Sequence, residues 1–390
     1  MQGDDTYKFK SNSKDIKIKE LKSYKYDGYK ENFLTLVFSG KDCNIKIINT
    51  LRRICSNYIP VYAFAPEAIT IQENTSIAFN NDMVKLNLST LPIHKIDPHI
   101  TFLEEKYWYD TNYADKERHK HENEQNVELY LHSKNDTQEF MRVTTNDAKI
   151  TIGGEEIEMY PAKYPRLLIE LKPNQTIKLH ARGVLGIAER KNNGALWKAC
   201  QNCYYDEVNP GEFEFTVYGN KQFTEQNLLI RSCRFIIIKM EKIKENILDK
   251  VNKKELIDQK TMTFKFDNED YTIGEPINYE LQDIAIYSGL SKPNQLIKSI
   301  IIKVSADKSA VDSIIQSIDN VIDKFNKIGN LLSSMYGENE SDSKSKSDSK
   351  NKSDSKNKSD SENESGSKSD SEKDEKPTKQ ENKKKIKKRK

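Results

Sequence analysis

Asn49-Thr50-Leu51-Arg52-Arg53-Ile54-Cys55-Ser56-Asn57-Tyr58-Ile59-Pro60-Val61-Tyr62-Ala63 is the stretch that decides how the chain is read. Ile47, Leu51, Ile54 and Tyr58 recur three and four residues apart. That spacing places them on one buried helix face, so an amphipathic helix is expected over 43–58. Asn49, Arg52 and Ser56 fall on another face. Pro60 then ends the helix. A strand run, Phe-Leu-Thr-Leu-Val-Phe at 33–38, precedes it, and strand-like runs follow at 61–79.

Further along, the periodicity changes. Segment 95–210 is rich in aromatic and β-branched residues, with turn signals at Gly153-Gly154 and Pro173-Asn174. Runs at 127–132, 140–145, 148–152, 156–160, 166–171 and 175–182 predict a small antiparallel β domain. A charged loop, 110–126, lies within it. The strictly alternating run 212–219 reads as a strand, followed by a helix ending near Val251. After the linker-like stretch 252–260 comes a second unit. Strand 261–266 leads to Thr272-Ile273-Gly274-Glu275, which has the spacing of a capping box. The helix it opens carries Ile273, Ile277, Leu281 and Ile284, with Pro276 expected in its first turn. Strand 297–304 follows. A long helix over 308–332 bears the clearest stripe of the chain: Val311, Ile314, Ile315, Ile318, Val321, Ile322, Phe325 and Ile328. A short coiled coil would need more heptads than this; packing across an internal, dimer-like interface suits the pattern better.

The expected fold class is α+β: two similar lobes, each a sheet packed on helices, with an inserted, mainly β domain. The boundaries read as 1–94 and 211–251 for the first lobe, 95–210 for the insert, 252–260 for the linker and 261–336 for the second lobe. From 337 to 390 the chain is nearly all Ser, Lys, Asp, Asn and Glu, too polar to offset its own chain entropy, and is expected to be disordered. Its basic end, 383–390, reads as a phosphate contact, a nuclear localisation signal or plain solubilising charge.

The formal net charge of +3 over 390 residues gives no case from bulk charge for a nucleic-acid-binding protein. Five cysteines, with no secretory signal at the N-terminus, read as free thiols in a reducing compartment. No apolar run reaches the ~18 residues of a membrane span, so a soluble, intracellular chain without membrane contact is expected. Cys200-x-x-Cys203 has the spacing of half a zinc site, and a structural site needs four ligands. The nearest upstream histidine is His180, and there is no second Cys pair. The pair therefore reads as ordinary thiols. His119 and His121 read as part of a solvated loop. No metal, no cofactor and no catalytic residue is expected, and no glycine-rich phosphate cradle, His-Glu-x-x-His motif or acidic metal-binding triplet occurs.

Two sets of motifs resemble known families. Asn49-Thr50-Leu51-Arg52-Arg53 followed by Ile59-Pro60-Val61-Tyr62-Ala63 resembles the signature of the alpha-like, third-largest subunit of RNA polymerases. Glu73-Asn74-Thr75-Ser76, Leu91-Pro92-Ile93 and Gly183-Val184-Leu185-Gly186-Ile187-Ala188 with Trp197 follow in the family's order. Asn268-Glu269-Asp270-Tyr271-Thr272-Ile273-Gly274 and Tyr287-Ser288-Gly289-Leu290-Ser291-Lys292-Pro293 resemble the small partner subunit. There are departures. Tyr271 stands where that family has histidine, Glu275 where it has asparagine, and 85–93 is a reduced version of a longer family block. Loop 110–126 lacks the cysteine cluster that many relatives carry in the inserted domain.

The resemblance implies a fusion of the two subunits in one chain, as in large cytoplasmic DNA viruses. It implies a non-catalytic assembly platform that docks the largest and second-largest polymerase subunits, with small zinc-bearing accessory subunits as a further option. DNA would be met only through the complex, and the chain would be a monomer in it. The active site would lie in other subunits, and the location would be the host cytoplasm, in the viral factory, and the virion. Asn49, Arg52 and Arg53 become candidate contacts to a large subunit, although paired arginines on a helix surface are common. The stripe from Val311 to Ile328 becomes the lobe interface. The rival reading is a standalone viral nucleic-acid-binding or virion-core protein.

Overall fold

A computed structural model of the chain describes residues 9, 15–24 and 32–337. The tail expected over 337–390 lies outside the described residues, apart from Gly337. The chain opens with β1 (Lys17–Tyr24), β2 (Phe33–Ser39) and helix α1 (Ile45–Asn57). Next come β3 (Val61–Asn74), α2 (Asn81–Ser89), β4 (Val127–Lys134), β5 (Met141–Thr144) and β6 (Ala148–Ile152). β7 (Glu155–Glu156), β8 (Leu167–Leu171) and β9 (Thr176–Gly186) follow. β10 (Cys200–Asn209), β11 (Glu212–Gly219) and α3 (Glu225–Asn252) return to the first unit. The chain closes with β12 (Thr261–Asp267), α4 (Tyr271–Ile284), β13 (Tyr287–Ser291), β14 (Ser299–Ser305) and α5 (Ala310–Tyr336).

The fold is mixed α and β, and one arrangement occurs twice. In the first unit the order β2, α1, β10, β11, α3 builds a sheet ordered β2-β11-β10, with β1 added outside β2. In the second, β12, α4, β13, β14, α5 builds a sheet ordered β12-β14-β13. In both, the third strand lies between the first and second, and every pairing is antiparallel. Matching helices meet across the two units, α1 with α4 and α3 with α5.

Local chemistry explains the elements. β11 alternates as a half-buried strand should: Phe213, Phe215 and Val217 are buried, while Glu212 and Glu214 reach outward. Helices α1, α3 and α5 each have a side-chain N-cap. Asn44 accepts from the Lys46 and Ile47 amides, Thr224 from Asn227, and Ser309 from Asp312. The α5 stripe is removed from water within the chain. Val311, Ile314, Ile318, Val321, Phe325 and Ile328 are buried, and Ile315 and Ile322 pack half-buried against the same core.

Several boundaries differ from the sequence reading. β3 pairs with β9 over most of its length, in a sheet ordered β3-β9-β4-β6-β7. The inserted sheet therefore begins at Val61, not at 95, because β3 is long enough to leave the first unit and carry on into the second layer. Conversely, Cys200–Asn209 is strand β10 of the first unit, although it lies inside 95–210. Of the run 156–160 only Glu156 is in a strand, the two-residue β7. Loop 110–126 is tied down. Tyr113 is fully buried, its hydroxyl donates to the Leu185 carbonyl at 2.8 Å, and the Arg118 guanidinium is buried against Glu124. His119 stays exposed, and His121 packs edge-on to Tyr107.

Phe325 is fully buried on α5. Phe325→Ala should cost about 3–5 kcal/mol by denaturant unfolding. Leu296→Ala, at a side chain 96% exposed, should stay within about 0.5 kcal/mol of the parent.

Candidate functional site

The two motif segments sit face to face. α4 does not begin with the expected capping box. Its N-cap is Asp270, whose carboxylate accepts from the Thr272 amide at 2.8 Å. Glu275, expected to close that box, instead pairs with Lys46 of α1 at 2.7 Å. With the helix starting at Tyr271, Pro276 falls past the first turn and inside the helix. A proline there has no N–H for the carbonyl four residues back, which is that of Thr272. α1 fills the gap: the Thr50 hydroxyl donates to the Thr272 carbonyl at 3.0 Å, in a buried contact.

Arg53 completes the joint. Its guanidinium donates to the Asp270 carboxylate at 2.8 Å, linking residues 217 apart in sequence. The same carboxylate therefore caps α4 and anchors α1. Burial pushes the Asp270 carboxyl up, but the Thr272 hydroxyl, the Arg53 charge and the Thr272 amide outweigh it and hold the group below the usual carboxylate range. Beside it, Lys239 of α3 reaches Glu269 at 2.6 Å. Glu189, leaving the insert, takes Asn57 of α1 on one oxygen and Lys298 on the other, each at 3.2 Å.

This geometry divides the three residues expected to meet a large subunit. Arg53 is half-buried and donates one terminal nitrogen to Asp270, so it joins the two units. Asn49 and Arg52 are also half-buried and form a local pair. The Arg52 Nε and one terminal nitrogen donate to Asn49 Oδ1 at 3.1 and 3.0 Å, leaving the second terminal nitrogen free of that contact.

A second cluster lies on the buried side of α1. Cys55 faces Cys200 and Cys203 at the start of β10, and their three sulfurs lie within 4.8 Å of one another. It is the only such convergence of potential metal ligands among the described residues. Residues three apart on a regular strand face opposite ways. Here the β10–β11 register skips Gln201, and this bulge turns both cysteines to one side. Hydrogen bonds from Cys203 and then Cys55 pull the Cys200 thiol down, against its burial. Cys55 is pushed up, first by its hydrogen bond to Cys200, and Cys203 is pushed up first by burial. Sequence spacing offered Cys200 and Cys203 as half a site and gave no reason to add Cys55, which comes from 145 residues earlier on another element.

No family model matches the chain. A protein of Acanthamoeba polyphaga mimivirus, named as a DNA directed RNA polymerase subunit, is 26% identical over 310 residues. The match covers 74% of this chain and 84% of the mimivirus protein. This likeness supports reading the chain as a subunit of a viral DNA-directed RNA polymerase. No helix among the described residues is long and apolar enough to cross a membrane.

Two outcomes test the joint. Thr50→Val leaves the Thr272 carbonyl buried and unpaired and should cost about 1–3 kcal/mol. In a Pro276→Ala background, which restores the helical N–H, the same change should cost clearly less in a double-mutant cycle. Asp270 has its pKa lowered by folding, so its contribution is full above the unfolded carboxylate value of ~4 and fades as pH falls through the folded value. Asp270→Asn should therefore destabilise the chain at pH 6. The gap to the parent should shrink toward pH 3 in denaturant titrations.

Proposed function

We propose that this chain is a non-catalytic assembly-platform subunit of a multisubunit DNA-directed RNA polymerase, with an alpha-like part and its small partner fused in one polypeptide. The observation that carries the reading is the joint between the two motif segments. Residues 49–53 and 268–274, which resemble two different subunits, interlock through Thr50 on Thr272 and Arg53 on Asp270, and Lys46 on Glu275 pairs the same two helices beside them. The repeated strand order of the two units and the likeness to the mimivirus protein support the same reading.

In this reading the chain works by presenting surface rather than by chemistry. The joint and the α3–α5 pairing hold the two units as one rigid platform. The outer face of α1, with Asn49 and Arg52, docks a large polymerase subunit. Arginine suits such a face because its planar fork bonds carboxylates or backbone carbonyls in fixed geometry. Ile286, Tyr287, Leu296 and Ile297 are exposed on the second unit and offer apolar area that a partner would cover. Catalysis is assigned to the other subunits, since nucleotidyl transfer by two metals needs clustered carboxylates. DNA is reached through the complex, and the setting is the host cytoplasm or the virion.

The test is to tag the chain, purify it from its native source and identify what co-elutes. Two large polymerase subunits in near-equal amount are expected. Arg52→Glu should leave the chain folded yet reduce that recovery, because a charge reversed at an interface can cost several kcal/mol. Elution alone, or with nucleic acid and no large subunit, would favour the standalone nucleic-acid-binding or virion-core alternative.

A further inference from the structure

The thiol cluster takes no part in the joint to α4. It is also distinct from loop 110–126, where the resembled family carries its cysteines. We propose that Cys55, Cys200 and Cys203 form a three-thiolate site for a single zinc ion, which staples α1 to the strand returning from the inserted domain.

Geometry supports it first. Sulfurs on a tetrahedral zinc at ~2.3 Å lie ~3.8 Å from one another. The three sulfurs here are already within 4.8 Å, so each needs to move by no more than about 1 Å, within the reach of small χ1 adjustments. The backbone around them is set in place. The Ala199 amide, next to Cys200, donates to the carbonyl of Ser56, next to Cys55, at 3.1 Å. The Ala188 amide donates to the Asn57 carbonyl at 3.0 Å. Together with the bulge at Gln201, these bonds aim three thiols from two elements at one point. Simple packing of β10 on α1 asks for no such convergence, since a regular strand would bury one of the two β10 cysteines and expose the other.

Ligand chemistry agrees. All three donors are soft sulfurs and all are buried and unbridged, a set that selects zinc or another thiophilic ion over magnesium or calcium. Binding releases the thiol protons and leaves a site of one net negative charge. Arg52 and Lys198 lie close enough to act on Cys203 and Cys200 electrostatically, and they offset that charge. The fourth position falls to water or to the Ser56 hydroxyl, which hydrogen-bonds Cys200. The ion would fix the C-terminal half of α1, the helix that carries Arg52 and Arg53.

The test uses the full chain, expressed alone in zinc-supplemented medium and purified under reducing conditions. Elemental analysis should find about one zinc per chain. Cys203→Ser and Cys55→Ser should lose it, while Cys43→Ser and Cys233→Ser, at cysteines outside the cluster, should keep it. A chain without zinc whose three thiols are all titratable would overturn the proposal. So would a disulfide within the cluster, or zinc that survives Cys203→Ser. Should the serine variants fail to fold, cobalt titration of the unaltered chain decides. A sulfur-to-cobalt charge-transfer band with the intensity of three thiolates supports the site, and its absence refutes it.

Discussion

Removing one backbone donor organises this molecule. Pro276 cannot supply the hydrogen bond that the Thr272 carbonyl would receive in an uninterrupted helix. A carbonyl left unpaired in a buried place costs on the order of 1–3 kcal/mol. The Thr50 hydroxyl takes the vacancy at 3.0 Å, so α4 is complete only when α1 lies against it. Arg53 then binds the carboxylate that caps the same helix. The proline, usually a liability inside a helix, here makes one unit's secondary structure depend on the other unit.

Much of the remaining architecture follows from that dependence. With α1 and α4 fixed, the matched helices α3 and α5 come together and bury the stripe from Val311 to Ile328. Such a stripe, left open, would drive association between chains; supplied within one polypeptide, its partner is always at hand. The inserted sheet leaves the first unit along β3 and returns through β9. Glu189 at its exit holds both Asn57 and Lys298. The insert is thereby secured to both units instead of hanging from one.

The proposed platform role and the thiol cluster meet on α1. One side of the helix bears Asn49 and Arg52 toward solvent, another holds Thr50 and Arg53 against the second unit, and a third carries Cys55 toward β10. A short helix of 13 residues serves three contacts because its 3.6-residue turn distributes neighbouring residues around the axis. Fixing such a helix on two sides keeps the third in a defined orientation. A docking surface benefits from that, since less freedom is lost on binding.

Sequence periodicity by itself determined which segments are helix and strand where the apolar pattern is long: α1, α3, α5, β11 and β12 lie close to where the spacing put them. It also determined that Arg52 and Arg53 share a helix whose other face is buried. Four matters were decided only in three dimensions. The start of the inserted sheet moved to Val61 because strand pairing, not composition, sets a sheet's limits. The cap of α4 moved to Asp270 because two residue types suited to capping stand close together, and contact with α1 chose between them. Arg53 found a carboxylate partner, Asp270, that lies 217 residues away in sequence. Cys55 joined Cys200 and Cys203 because a bulge reversed the facing of one strand residue. In each case the deciding interaction joins residues far apart in the chain, and spacing along a sequence carries no signal about such partners.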